Sequence, residues 1–435
     1  MALGGGGFTM QNKELPGTYV NFVSAASASA TLSDRGIATM PLELDWGVEG
    51  KVFTVTSEDY QKNCQKFFGY AFDHAKMKGI ADLFLGAKTV YAYRLNGGGV
   101  KAANTFATAL YSGIRGNDLK IVIQANVDES TKFDVKTYLG TAEVDSQTVA
   151  SSAELVANDY VTFDQNAELA VTASTPLTGG TNGTVDGNAH QAYLNAVEPY
   201  TYNTMGVVVT DDTTKKLYVN FCKRLRDEIG KKFQLVVHNL AADYMGVINV
   251  KNRVTDDKCS EASLVYWVTG AESGCAVNAS CQNKKYDGAF TVDTAYTQNQ
   301  LKQFIRNGEF VLHQVNEDVR VLEDVNSMVT TSDTQGDIFK DNQTIRVIDQ
   351  LGNDDAVLFN TKYLGVVPND PAGRTSLWSD LVKIRQNLQD IRAIEDFSDS
   401  DVVVEQGATK KSVVATSTIT VVNAMSKLYL TNVVQ

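Results

Sequence analysis

The sequence predicts a mixed α/β core domain that is interrupted by an inserted β-sandwich and flanked by strand-like terminal arms. Three observations indicate this class. Helical and strand patterns alternate over most of the chain, which is typical of an α/β core. Between residues 115 and 178 the helices stop, and short strand-like runs follow one another. Near both ends, β-branched and aromatic residues cluster with no partner strand close by in sequence.

The overall composition limits the class of protein. The chain has 435 residues, 43% of them apolar, and a formal net charge of −12. This length predicts two or three domains. The negative net charge argues against general nucleic-acid binding, which needs a basic surface. No apolar run approaches the roughly 20 residues that span a bilayer, and residues 1–7 lack the basic and hydrophobic parts of a signal peptide. We therefore expect neither membrane insertion nor export.

The first α/β elements follow from local signals. Thr56 can cap a helix whose third residue is Asp59, and Gly69 is a typical stop after it. Residues 89–94 are predicted to form a strand, which stops before the run of three glycines at 97–99. The two patterns together predict one helix and one strand of an α/β layer.

The middle of the chain predicts an all-β insertion. Short strand-like runs at residues 119–123, 133–138 and 160–163 are separated by Asp, Asn, Ser and Gly. Regularly spaced short strands with turn residues between them are typical of a β-sandwich.

The α/β pattern resumes after the insertion. A strand, a helix from Thr214 to Gly230 and a second strand form a unit that argues for a parallel sheet. Further helices are predicted around residues 262–269 and from Thr297, which forms a capping box with Gln300. The predicted strands are residues 206–209, 233–237, 247–250 and 310–313.

The last predicted helix begins near Ser376 and extends to about Glu395. Its apolar residues recur every three or four positions and predict one face that packs against a C-terminal sheet; they are Leu377, Leu381, Ile384, Leu388 and Ile391. Basic residues off this face are expected to be exposed, and they include Lys383, Arg385 and Arg392.

The two ends carry strand-like segments at residues 18–23 and 428–434. Pro16 precedes the first, and proline is common at the first position of a strand. Such a segment pairs either with its own domain or with a neighbouring molecule, because an unpaired strand edge promotes association. The sequence leaves both alternatives open.

No motif for chemistry is found. The glycine-rich runs lack the Gly-Lys-Ser/Thr of a phosphate-binding loop, and the Gly-x-Ser-x-Gly of a nucleophile elbow is absent. Cys275 follows a predicted helix, but no histidine is near it in sequence. The five cysteines contain no Cys-x-x-Cys pair, so we expect free thiols and no zinc site. We predict no catalytic residue, no cofactor and no metal.

Seven short sequence segments, in order along the chain, resemble those of contractile tail sheath proteins of myophages and phage-tail-like bacteriocins. The resemblance is particularly to the branch found in Gram-positive bacteria. The segments are residues 16–22, 113–117, 177–183, 267–280, 319–328, 363–369 and 424–429. The sequence departs from the family pattern at Ser327 and Met328, where Thr-Leu is usual, and at Pro368, where a polar residue is common. The resemblance covers nearly the whole chain.

The resemblance implies a structural subunit, not an enzyme, that stacks as hexameric rings around an inner tube and contracts to drive that tube through a bacterial envelope. It also implies five segments: an arm over 1–28, a core domain over 29–112 and 183–328, a sandwich over 113–182, and a C-terminal domain over 329–435. The implied partners are other copies of the chain, the tube protein, and baseplate and tail terminator proteins. The implied location is the bacterial cytoplasm during assembly, then a virion tail or a released bacteriocin particle.

The resemblance also assigns roles to residues. The terminal arms would add strands to the C-terminal sheets of neighbouring subunits. The arm residues are Tyr19, Val20, Asn21, Phe22, Val23, Leu428, Tyr429, Leu430 and Val433. The candidates for contact with the tube are Lys383, Arg385 and Arg392.

Two other classes of protein remain as alternatives for this sequence. One is an α/β hydrolase or nucleotide-binding enzyme with a β insertion, and the other is a capsid or adhesion module. Electron microscopy separates a sheath subunit, which should form rings, tubes or sleeves, from an enzyme, which should form compact particles.

Overall fold

The computed structural model describes residues 32–434, which form two compact units. The main unit comprises residues 34–349 and 422–434, and the small unit comprises residues 32–33 and 350–421. Within residues 32–434, no helix has the length and apolar character needed to cross a membrane. The predicted residues of the N-terminal arm lie outside the described residues; they are Tyr19, Val20, Asn21, Phe22 and Val23.

The main unit begins with the predicted helix and strand. Its first elements are β1 (Ile37–Leu42), β2 (Phe53–Thr56), α1 (Ser57–Phe68), α2 (Lys78–Phe84) and β3 (Thr89–Arg94). The capping box of α1 is confirmed. The hydroxyl of Thr56 accepts a hydrogen bond from the backbone N–H of Asp59 at 3.1 Å, and the Asp59 carboxylate accepts one from the Thr56 N–H at 3.2 Å. Gly69 ends the helix at φ 80°, a conformation that favours glycine.

The all-β insertion is confirmed. Its strands are β4 (Ala107–Ala109), β5 (Leu119–Ala125), β6 (Phe133–Leu139), β7 (Ala142–Val149), β8 (Val161–Phe163) and β9 (Thr172–Pro176). Four of them form an antiparallel sheet in the order β7-β6-β5-β9, and β4 pairs with β8. Leu119, Ile121 and Ile123 alternate into the core of this layer. The sequence did not predict β7 or β9, because most of their residues are polar.

The α/β pattern of the main unit then resumes. Its elements are α3 (Gly187–Val197), β10 (Thr204–Gly206), α4 (Asp212–Lys223), β11 (Gln234–His238), β12 (Val247–Val250), α5 (Leu264–Gly274), α6 (Gln298–Arg306), β13 (Glu309–Phe310), β14 (Leu312–Val315) and β15 (Asp318–Val321). The strand predicted at 206–209 is displaced, since β10 ends at Gly206. The helix predicted to end at Gly230 is confirmed, although its last turn (Arg224–Ile229) is π-helical.

A seven-stranded sheet organises the main unit, in the order β13-β12-β11-β10-β1-β3-β2. All neighbouring strands are parallel except β2 and β3. The predicted parallel sheet is therefore confirmed. Its two faces pack on separate hydrophobic clusters: Leu235 and Val237 of β11 belong to one cluster, and Val236 between them belongs to the other. This alternation follows from the two-residue period of a strand.

The remaining elements are α7 (Asn342–Leu358), α8 (Pro371–Asp390), β16 (Ile394–Glu395), β17 (Val402–Gln406), β18 (Val413–Ser417) and β19 (Thr420–Val421). The chain passes from the main unit to the small unit within α7. The predicted start of α8 at Ser376 is wrong. Asp370 caps the helix by accepting from the Gly373 N–H at 2.7 Å, and Pro371 is its first residue.

Candidate assembly surfaces

The C-terminal segment leaves the main unit from a defined anchor on the first turn of α7. The amide of Gln343 donates to the backbone oxygen of Val422 at 3.1 Å and accepts from the N–H of Ala424 at 2.9 Å. The side chains of Thr344 and Asn423 are also hydrogen-bonded, at 3.2 Å. Gln343 thus pairs with the segment as a neighbouring strand would, and residues 422–424 are held in place.

Beyond this anchor the apolar side chains are exposed. The exposed fractions are 85% for Leu428, 90% for Tyr429, 70% for Leu430 and 82% for Val433. The strand predicted at residues 428–434 does not form within the described part of the subunit. A strand needs a partner edge for its backbone groups, and this segment has none in the described chain. Its composition and its exposure together indicate a surface for association.

The small unit contains a two-stranded hairpin, β17–β18, paired from Val402 with Ser417 to Gln406 with Val413. Each strand has one side that pairs with no other strand among residues 32–434. The indole N–H of Trp378 donates to the backbone oxygen of Val402 at 3.0 Å, which holds the hairpin on α8. The helix α8 thus contacts a C-terminal sheet, as predicted. The hairpin therefore has open strand edges and is held against α8.

A groove of about 210 Å³ lies between this hairpin and the helices of the small unit. The lining residues of α8 are Leu377, Leu381 and Arg385, and those of β18 are the alternate residues Val413, Ala415 and Ser417. Asp355 of α7, Phe359 just after α7 and Val402 of β17 complete the lining. A groove that runs beside a strand can accept alternate side chains of a further strand.

The basic residues predicted as tube contacts occupy different environments. Lys383 is exposed on α8, and Arg392 is exposed just after the helix end at φ 59°. Arg385 is buried, so its predicted exposure is wrong. Its two Nη atoms donate to the two carboxylate oxygens of Asp355 at 2.6 and 2.7 Å, and its Nε donates to Ser417 Oγ at 3.1 Å. Arg385 therefore stabilises the small unit from within.

A second buried arginine, Arg346 of α7, lies in the main unit, and no local sequence pattern marks it. Its guanidinium donates to Glu272 at 2.5 Å and to the backbone oxygen of Ala279 at 2.6 Å, and it lies 3.5 Å from Asp324. Burial raises the pKa of Glu272 well above its ordinary value. Burial also opposes ionisation of Asp324, but Arg346 and a hydrogen bond from Glu272 lower its pKa. The cluster thus holds one positive and one negative charge.

Three side chains of this region, Glu272, Cys281 and Asp324, each place a potential metal ligand atom within 4.8 Å of the other two. Arg346 already donates to Glu272 and pairs with Asp324. The positive charge that a buried carboxylate requires is therefore supplied by the arginine. We interpret the cluster as an ion-pair network that fixes the first residues of α7, which belong to the main unit, in the core of that unit.

A cavity of about 470 Å³ lies at the carboxyl end of β1, the place where enzymes with parallel sheets bind ligands. Asp45 lines it and accepts hydrogen bonds from the Tyr70 hydroxyl at 2.8 Å, from Asn182 at 2.9 Å and from the Lys76 ammonium. Burial opposes the ionisation of Asp45, but these three donors lower its pKa below the ordinary value. Asp45 is therefore partnered inside the subunit, which is typical of a structural network.

Comparison with known proteins extends over nearly the whole chain. Family models match four successive segments: the tail sheath protein Gp18 domain III N-terminal region at 35–95, the phage tail sheath protein β-sandwich domain at 86–182, its central domain at 183–327 and its C-terminal domain at 334–435. The phage-like element PBSX protein XkdK of Bacillus subtilis is 31% identical over 98% of this chain and 99% of its own. The chain belongs to the contractile phage tail sheath family. The sequence resemblance and the predicted β-sandwich are thereby confirmed.

Solved sheath structures share the fold. The sheath tail protein of Desulfitobacterium hafniense is 37% identical, with a TM-score of 0.82 over 95% of this chain and 99% of that one. The contracted helical sheath of the anti-feeding prophage is 11% identical, with a TM-score of 0.58 over 97% of this chain and 99% of that one. At so low an identity the second likeness shows the fold alone. Family and fold point to a structural sheath subunit.

Proposed function

We propose that this sheath subunit polymerises as stacked hexameric rings around an inner tail tube, and that the polymer contracts to drive the tube through a bacterial envelope. The observation that carries this proposal is the exposed apolar segment at residues 425–434, which forms no strand within the described subunit. The same subunit has a hairpin with open edges, β17–β18. One copy therefore carries both a donor segment and an acceptor.

Strand addition between copies would link these two features. In an added strand, Leu428 and Leu430 point to one side and Tyr429 to the other, because side chains alternate. The two leucines would cover the groove beside β18, whose lining includes Leu377 and Leu381. Five backbone hydrogen bonds at about 1 kcal/mol each contribute about 5 kcal/mol to each contact. Repetition through a polymer makes such a linkage persistent while the subunits reorient.

The remaining assignments follow the family. We propose that the N-terminal arm, with Tyr19 to Val23, adds a second strand in the same way, and that tube, baseplate and tail terminator proteins are the other partners. The particle would be assembled in the cytoplasm and would end as a virion tail or a released bacteriocin. The division of the chain at residues 28, 112, 182 and 328 stays a prediction, as does the absence of catalysis.

Electron microscopy of the purified protein tests the proposal. We expect negatively stained samples to contain rings, tubes or sleeves. A synthetic peptide of residues 422–435 should reduce their number, because it would occupy the acceptor edge of the hairpin; a peptide of scrambled sequence is the matched control. Compact single particles in every condition would favour the enzyme alternative and would contradict the proposal.

Reversal of the exposed basic charges is expected to weaken the contact with the tube. The variant Lys383→Glu with Arg392→Glu should co-sediment with purified tube protein less than the wild type does, since both side chains are exposed on the small unit. The loss should shrink at high salt, because exposed charges more than about 8 Å apart are screened at physiological ionic strength.

The control carries the same change of net charge on the main unit. Lys302 and Arg306 are exposed on α6 of the main unit, and the variant Lys302→Glu with Arg306→Glu should co-sediment as the wild type does. Equal co-sedimentation of the two double variants at low salt would show that Lys383 and Arg392 do not contact the tube.

A further inference from the structure

One subunit carries the donor segment and the acceptor hairpin close together in sequence. The strand β18 ends at Ser417 and the exposed segment begins at Met425, so only residues 418–424 separate them. Groups joined by so short a link meet at an effective concentration of about 1 mM, which at about 10 µM protein favours pairing within one copy about a hundredfold. Yet Leu428 and Tyr429 are exposed, and the segment forms no strand in the described subunit. A feature of the subunit must therefore oppose pairing within one copy.

The link between the hairpin and the segment is attached at successive points. The N–H of Thr418 donates to the backbone oxygen of Asp401 at 3.0 Å. The strand β19 (Thr420–Val421) then pairs antiparallel with β16 (Ile394–Glu395). Hairpin turns are commonly two to five residues long, and these contacts occupy the residues that a turn back to β18 would need.

The last point of attachment is the anchor on α7. Gln343 is the second residue of that helix, its side chain is buried, and its amide makes the two hydrogen bonds to residues 422–424 described above. The neighbouring Asn342 donates to Asp324 at 2.9 Å, which ties this turn of α7 to the buried ion-pair cluster. Beyond the anchor, residues 425–427 are the only link to the apolar part of the segment, about 10 Å of extended chain.

We propose that Gln343, together with Thr344 and Asn423, is a positioning residue that keeps the C-terminal segment from pairing with the hairpin of its own subunit and so directs it to a neighbouring copy. This inference rests on the proposed function, in which β17–β18 accepts the segment. Without the anchor the free chain begins at residue 422 instead of 425, and the two-residue strand β19 becomes its nearest attachment. Pairing within one copy then competes with the growth of the polymer.

The variant Gln343→Ala with Asn423→Ala removes the side chains of the anchor and leaves the segment and the hairpin unchanged. At about 10 µM protein, sedimentation velocity and negative-stain microscopy should show mostly monomers, with tubes reduced about tenfold or more from the wild type. The matched control is Gln303→Ala with Asn307→Ala, which removes another glutamine–asparagine hydrogen bond of the main unit, 2.8 Å long. The control should assemble as the wild type does. Equal assembly of the two double variants would overturn the proposal.

Binding of a labelled peptide of residues 425–435 shows whether the monomers are closed. The reference is the full-length variant Tyr429→Pro with Leu430→Pro, whose segment lacks two N–H groups and leaves the hairpin open. The anchor variant should bind the peptide at least about tenfold more weakly than this reference, because its own segment occupies the hairpin. Equal binding would mean that assembly fails without closure, and it would overturn the proposal. No binding to the reference would instead contradict the acceptor role of β17–β18, and the proposed function with it.

A second variant keeps the anchor intact and lengthens the link after it. Insertion of about ten Gly and Ser residues between Ala424 and Met425 adds a reach of about 17 Å. The insertion lies in an exposed part of the chain, so the fold should be retained. We expect this variant also to form closed monomers that bind the peptide weakly. Tubes in wild-type amounts would contradict the proposal that a short anchored link enforces pairing between copies.

Discussion

Removal of residues 425–435 is expected to abolish the assembly of rings and tubes and to leave the subunit folded. The deleted side chains that the structure describes are exposed and form no strand in the described subunit, so the free energy of unfolding should change by less than about 0.5 kcal/mol. The loss of about five shared backbone hydrogen bonds, each worth about 1 kcal/mol, lowers the association constant at one contact by about a thousandfold or more. Sedimentation velocity and circular dichroism measure the two effects.

The cut after Ala424 retains the anchor, because Gln343 still holds Val422 and Ala424. Point variants distinguish association by backbone strand pairing from association by contact between apolar side chains alone. Leu430→Ala removes a side chain and keeps the backbone donor, whereas Tyr429→Pro and Leu430→Pro each remove one N–H from successive positions. At least one proline variant should assemble far less than Leu430→Ala does. Polymers of normal length from the truncated protein would refute the role of this segment.

Features governed by neighbouring residues could be predicted from the sequence. The capping boxes of Thr56 with Asp59 and of Thr297 with Gln300 are both present, because each depends on a contact between residues three apart. The parallel sheet followed from strand–helix–strand alternation, which leaves few other topologies. The start of α8 was also present in the sequence, since Asp370 and Pro371 form a cap and a first helical residue.

Features governed by distant residues could not be predicted. Arg385 lies off the apolar stripe of α8 and would be exposed on a helix alone, but Asp355, thirty residues earlier on α7, pairs with it and buries it. The segment at residues 428–434 has a strand composition and no partner in the described subunit, so we propose that its structure depends on another molecule. Arg346 and its partners come from three parts of the chain, and no local pattern marks them.

Replacement of Arg346 by methionine is expected to destabilise the main unit by about 3–5 kcal/mol, the cost of leaving a buried charge without its partner. Asp324 would lose the arginine that holds its pKa low, and Glu272 and the oxygen of Ala279 would each lose a donor. Urea unfolding followed by tryptophan fluorescence measures this loss, because Trp46 and Trp267 are buried in the main unit.

The matched control is Arg224→Met, which breaks another arginine–glutamate pair of the main unit. Arg224 donates to Glu198 at 2.6 Å, but the two side chains are 40% and 38% exposed, and exposed pairs contribute at most about 1 kcal/mol. A further variant, Arg346→Met with Asp324→Asn, removes the isolated charge and should recover part of the loss. If Arg346→Met and Arg224→Met unfolded at the same urea concentration, the buried cluster would not stabilise the subunit through its charges.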